Sequence, residues 1–382
     1  MLYLSPILFA SFFLSLNFGI LLYIKSSLVG ELLNEPFSSI IFFFSAILNI
    51  IFFLLTPRIL KKFGVENAFL FFVLLVALGT WGLFASKLSW QIAFSLILYE
   101  CFMFMSYWCL DIFLEERTSN AKTGEIRGVY FTLLNLGIAI GPLLLTLLVK
   151  GNELVNIYLS ATLFLCFPIA FAILKVLNER KINFDNKPEE INLPFNDWFK
   201  NKNIRSITNI RIVLETFFAS MVIYIPIYLY ETIGFGWSEL GLIFTIMLLP
   251  FVILEWPAGW LADNVMGEKE ILSTGLFITG VSLLIMPFLG KNYFAWMGIL
   301  FLSRIGASLI EIMTESYFFK KTSINDYGLI SIFRLARPFG VMFGTSIGLF
   351  ASYFLSIQII FVLLSLFVLV GLYEALSIND TL

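Results

Sequence analysis

Residues 111–128, DIFLEERTSNAKTGEIRG, and residues 315–332, ESYFFKKTSINDYGLISI, are one passage written twice. In each copy an acid (Asp111, Glu315) is followed six residues on by a base (Arg117, Lys321). Thr-Ser comes next (Thr118-Ser119, Thr322-Ser323), and then glycine (Gly124, Gly328). The offset is 204 residues at every position, a little over half of the 382-residue chain. Each copy lies between two long apolar stretches. An internal duplication of a strongly apolar chain is therefore expected.

Composition sets the surroundings. The chain is 59% hydrophobic and 13% charged, with mean hydropathy +0.93. Soluble domains average about 25% charged residues. This much apolar surface cannot be hidden from water, so an integral membrane protein embedded in a lipid bilayer is expected. Cys101, Cys109 and Cys166 all fall inside apolar stretches, which argues against a disulfide framework or a metal site. The sequence has no histidine. That excludes His-based acyl transfer, His-dependent intramembrane proteolysis and most zinc enzymes, and leaves carboxylates as the groups able to relay a proton. No nucleotide-binding GxxxxGKS/T loop is present. No cofactor, metal or nucleic-acid partner is expected. The first apolar stretch lacks a basic leader and a clear cleavage site, so no cleavable signal peptide is expected.

A membrane-crossing helix needs about 20 apolar residues. Twelve such spans are predicted, roughly 4–27, 37–60, 66–86, 90–114, 127–149, 154–177, 206–230, 237–260, 271–290, 293–318, 328–352 and 355–376. The predicted fold is all-α, with two pseudo-symmetric six-helix bundles at 1–177 and 206–382. The polar stretch 178–205, with Pro188 and Pro194, joins them as a cytoplasmic linker. Basic residues set the orientation. With the N-terminus inside, nineteen Lys and Arg fall on inner loops and helix ends, Arg211 among them. Only Lys25, Lys87, Lys150 and Lys291 fall outside, and Arg304 is left alone at membrane depth. A multi-pass protein of the cell membrane with both termini cytoplasmic is expected, as a monomer. Spans three, six and nine have no charge in their apolar interiors, and span twelve has none before Glu374. Charge in lipid is expensive, so charged spans face protein or a water-filled cavity. Every third span is expected to be a lipid-facing support.

Local motifs carry a family resemblance over the whole chain. PAGWLADNVMGEK (Pro257 to Lys269) resembles the signature loop between the second and third helices of each half in the major facilitator superfamily, with Gly259, Leu261, Asp263, Gly267 and Lys269 at the signature positions and one extra residue after the acid. The first half has a weaker copy, PRILKKFG (Pro57 to Gly64), in which Lys61 stands where the family usually has Asp. Gly137-x-x-x-Gly141-Pro142 in span five resembles the core of the motif enriched in antiporter-type drug exporters, though leucines replace its further glycines. Gly340-x-x-x-Gly344 after Pro338 repeats the theme in span eleven. Such small-residue pairs let helices approach closely in lipid. The resemblance implies that Asp263 latches the cytoplasmic side shut with Arg127. It also implies that Arg334 and Arg337 play the reciprocal role, with Glu315, Glu311 or Glu255 as the available acids. Asp111 belongs to the same inner ring of charge.

The sharpest candidates for chemistry lie in spans four and ten. Glu100, Phe104, Tyr107 and Asp111 fall at i, i+4, i+7 and i+11, on one helical face. Arg304, Ser308, Glu311 and Glu315 repeat that spacing 204 residues later. Glu100 and Arg304 are thus equivalent by repeat and near mid-membrane, where transporter sites sit. They form either a static pair that fixes packing or a site for substrate and coupling. A carboxylate in such a cavity can load and release a proton, and the candidates are Glu100, Glu311 and Glu215. Asn17, Asn49, Asn135, Tyr224 and Tyr228 either complete the cavity or bond helix to helix. The expected function is secondary transport of a small molecule by alternating access rather than catalysis, with protons as the driving ion and export of an apolar or amphipathic compound favoured over uptake. A lipid or lysolipid flippase and a nutrient uniporter on the same fold are the alternatives. A membrane-embedded enzyme built on Asp111, Glu115, Glu116 and Glu315 is the remote one.

Overall fold

In hydrocarbon a backbone must satisfy its own hydrogen bonds, and an apolar chain does this by forming helices. The computed structural model describes residues 5–26, 35–86, 88–116, 123–148, 155–178, 195–322, 327–354 and 356–379. Among these residues there is no strand, and the helices follow one another as twelve spans. Span one is Ser5–Leu21, with helix resuming at 24–26. Span two is Glu35–Phe63, span three Val65–Ala85, span four Ser89–Glu116 and span five Thr123–Leu148. Span six is Val155–Phe164 plus Cys166–Asn178. Span seven is Lys202–Ile227, extended by a π-helical turn Tyr228–Ile233, and span eight is Trp237–Leu261 with a similar turn at Ala262–Met266. Spans nine, ten and twelve are Glu268–Ile285, Tyr293–Lys321 and Ile359–Ser377. Span eleven is Tyr327–Arg334 plus Ala336–Phe354. Eight of the spans are long and apolar enough to cross a membrane, and spans one, two and five carry shorter apolar cores at Pro6–Leu21, Ser39–Phe52 and Thr132–Leu148.

Spans six and eleven were expected to be continuous, and both are interrupted, at Leu165 and Leu335. Each break lies three residues before a proline, Pro168 and Pro338. A proline cannot donate to the carbonyl four residues back, and its ring crowds that carbonyl, here of Phe164 and Arg334. Pro142 leaves span five helical, and the carbonyl it cannot serve, on Ile138, lies against Gly19 of span one. A Cβ on Gly19 would sit 2.5 Å from that oxygen, so glycine alone fits.

Two compact units form, residues 1–188 with 235–245, and 189–234 with 246–382. The same helix pairs recur in each. Span one packs on five as seven packs on eleven, and three on four as nine on ten. Spans three and one pack on six as nine and seven pack on twelve. Glycines allow these approaches. Added Cβ atoms would meet Phe12 O at 2.8 Å from Gly137 and Gly19 Cα at 2.6 Å from Gly141. Those on Gly340 and Gly344 would meet Thr216 N at 2.7 Å and Ser220 Oγ at 2.9 Å. Gly64 and Gly267 cap spans three and nine with φ of 82° and 77°, a left-handed backbone that favours glycine. Spans three, six, nine and twelve keep large apolar side chains exposed, including Phe71, Leu163, Phe277 and Val370. Such a surface suits lipid contact.

Candidate functional site

In the second unit, span seven carries Arg211 and Glu215 one helical turn apart, and span ten carries Glu311 and Glu315 at the same spacing. The two pairs meet. The Arg211 guanidinium donates through Nε to Glu215 Oε1 at 3.0 Å and lies 2.8 Å from it through Nη2. Its Nη2 and Nη1 reach Glu311 and Glu315, each at 3.4 Å. Arg334, at the end of the first half of span eleven, bonds Glu315 at 3.0 Å. Glu255 of span eight lies in electrostatic range of Glu311 and Arg211, and Arg337 lies in range of Glu311. One planar guanidinium, with its fork of donors, thus holds carboxylates from two helices. Glu215 is packed under Gly340, whose missing side chain is what lets span eleven come this close. The Glu311 side chain keeps 30% exposure, so its carboxylate is reachable while Arg211, at 11%, is nearly enclosed.

The first unit has a different arrangement. Lys25, at the far end of span one, donates to the Glu100 carboxylate of span four. Its ammonium is ringed by Tyr99, Phe18 and Phe42, with centroids at 5.4, 5.6 and 6.0 Å. Asn49 of span two donates to the Glu100 backbone carbonyl at 3.3 Å, which ties a third helix to the same turn. Lys25, counted with the outer charges, is buried and paired with a carboxylate. Arg211, counted as an inner topology charge, is likewise the centre of a buried cluster. An arginine one turn before Glu215 inside an apolar run is the signal that could have found it. Nothing local in the sequence links Lys25 to Glu100.

The other expected site residues divide by place. Arg304, 1% exposed, holds its guanidinium over the Phe217 ring, 4.8 Å from the centroid. Tyr107 donates to Ser15 Oγ at 3.0 Å and joins spans four and one. Asn17 is fully buried and donates to the Ala161 carbonyl at 2.9 Å, so it bonds span one to span six. Tyr228 packs between Trp296 and Phe361 at 5.7 and 5.3 Å, and Tyr224 lies under Gly348. These two tyrosines and Asn17 are buried among helix contacts. Asn135 is half-buried on span five, Asp111 is exposed near the C-terminal end of span four, and Arg337 is exposed on span eleven. Gly259 and Lys269 are half-buried. The side chains of Arg127 and Asp263 lie outside the described residues, as do the loops 117–122 and 323–326 of the repeated passage. The sequence reading also missed Glu268. It follows Gly267, is 0% exposed, and bonds Lys320 at 2.6 Å and the Ser316 hydroxyl at 3.0 Å.

The model of the major facilitator superfamily matches residues 1–142 and 210–378. No curated protein matches the sequence. Among solved structures, the nucleoside transporter NupG is similar with a TM-score of 0.75 at 11% identity, over 98% of this chain and 98% of that one. A POT family transporter in complex with a thioalcohol-conjugated peptide is similar with a TM-score of 0.74 at 12% identity, over 98% of this chain and 95% of that one. At such identities the likeness establishes the fold alone. With the duplicated helix pairs, the glycine-lined approaches and the family match in hand, the chain belongs to the major facilitator superfamily.

Proposed function

We propose that the protein is a proton-coupled secondary transporter that moves a small amphipathic molecule by alternating access, with export as its direction. The observation that carries the coupling is the charge balance around Arg211. Among the described residues, Glu215, Glu255, Glu311 and Glu315 face Arg211, Arg334 and Arg337, so acids outnumber bases by one. A proton added to this cluster leaves every cation with an acid. A proton added to Glu100 would leave the buried Lys25 ammonium without its partner, which is costly in a poorly solvated site. Glu311, the more exposed acid on the Arg211 fork, is the proton carrier in this reading. Arg334 stands next to the interruption of span eleven, so a change in the cluster's charge bears on a joint in that helix. The partial exporter motif in span five supports export, and the distribution of basic residues supports a cell-membrane location with both termini cytoplasmic.

The test is proton movement in proteoliposomes holding the purified protein, screened against hydrophobic drugs, sugars and amino acids. Substrate-dependent proton flux is expected with an amphipathic compound and is expected to fall to the level of empty liposomes in Glu311→Gln. Substrate movement without proton flux would overturn the coupling and turn the reading to a uniporter or flippase.

A further inference from the structure

The first unit holds a cation-binding cage that is filled by the protein's own lysine. Glu100 supplies a carboxylate, and Tyr99, Phe18 and Phe42 supply rings from spans four, one and two around the same ammonium. Three aromatic faces and one acid are how proteins bind ammonium ligands, including quaternary ones, because ring faces attract positive charge. A pair that served only to bind two helices would not need three rings converging on it. The Tyr99 hydroxyl, fully buried, has no hydrogen-bond partner among the described residues. The two members of the pair also differ in exposure: Glu100 keeps 15% of its side chain accessible and Lys25 only 4%. An arriving molecule meets the carboxylate first. A cation can join there, whereas an anion would meet a like charge.

We infer that Lys25 is a tethered stand-in, and that the transported molecule carries an ammonium group which displaces it from Glu100 and the rings. The inference rests on the transport reading above and names its substrate class: an amphipathic organic cation, with the apolar part suited to the phenylalanines. Displacement, rather than an empty cage, keeps the Glu100 charge compensated when no substrate is bound. It also sets the affinity, since the substrate competes with an ammonium already in place.

The test uses the full-length protein in detergent and two matched probes, benzyltrimethylammonium and its uncharged isostere neopentylbenzene, with binding read by calorimetry. The cation is expected to bind the wild type and the isostere to bind at least tenfold more weakly. Lys25→Met removes the competitor, so cation affinity should rise at least tenfold; Glu100→Gln should abolish it. Should Lys25→Met fail to fold, site-resolved mass spectrometry of the wild type after amine labelling gives a second readout: bound cation should release Lys25 and increase its labelling. Equal affinity for cation and isostere, or cation affinity lost in Lys25→Met, or labelling of Lys25 unchanged by saturating cation, would each overturn the inference. Benzoate binding that disappears in Lys25→Met would also overturn it, by making Lys25 a receptor for anions. None of these readouts involves Glu311 or proton flux, so the inference and the coupling reading fail separately.

Discussion

Positions 100 and 304 are the same place in the repeat, yet one holds an acid paired with a lysine and the other an arginine lying over a phenylalanine ring. Two helical turns further along, Tyr107 corresponds to Glu311. The first bonds a serine of span one; the second joins a fork of carboxylates on Arg211. The helix pairs around these positions are equivalent in the two units, and a Gly-x-x-x-Gly pair seats span five on one as another seats span eleven on seven. Duplication kept the packing and released the charges. That is physically reasonable, because close packing tolerates few changes in volume, whereas a buried charge is tolerated wherever a partner can reach it. At these positions the first unit pairs one acid, Glu100, with one base, Lys25, while among the described residues the Arg211 cluster gathers more acids than bases. The first suits holding a charged group and the second suits exchanging a proton.

Removing the centre of the larger cluster should have the greatest effect. Arg211→Met removes the cation shared by Glu215, Glu311 and Glu315, and loss of one partner from a buried ion pair costs about 3–5 kcal/mol. The expected outcome is loss of the folded peak in size-exclusion thermostability runs, with partial recovery when Glu215→Gln is added. Lys25→Met strands a single, partly accessible acid and should cost less. A larger loss for Lys25→Met than for Arg211→Met would break the comparison. Next come the shared glycines. Gly141→Val and Gly340→Val both force a side chain into a neighbouring backbone, and overpacking of this kind costs about 1–3 kcal/mol. Similar losses are expected from the two units, while Gly298→Ala, which opens onto space, should change nothing. Asn17→Ala removes the bond from span one to span six and should cost about 1 kcal/mol. Arg334→Gln is the mildest. Arg334 is 45% exposed, and exposed pairs contribute about 0–1 kcal/mol, so stability should hardly move and any effect should appear in transport rate.

The scaffold was legible because its signals are local. Apolar runs, the repeated passage, Pro338 and the Gly-x-x-x-Gly pairs can all be read within a few residues. The Arg211 cluster was half legible: Glu215, Glu311 and Glu315 stood out as acids in apolar spans, but their shared cation looked like one more inner arginine. The Lys25–Glu100 pair was not legible, since its members are 75 residues apart and Lys25 sits at a helix end where lysines usually mark topology. Asn17 and Tyr228 were left with two readings because a polar group in an apolar helix can face a cavity or a neighbouring helix with the same local sequence. Which of these it does depends on the packing of spans far away in the chain.

The most direct test of the central contrast sets Glu311→Gln beside Glu374→Gln in one proton-flux assay. Glu374 is an acid of the second unit that stands outside the Arg211 cluster, bonded to Ser206 and Asn209. The account predicts that substrate-driven proton flux disappears in Glu311→Gln and persists in Glu374→Gln. Flux that survives in Glu311→Gln would contradict it.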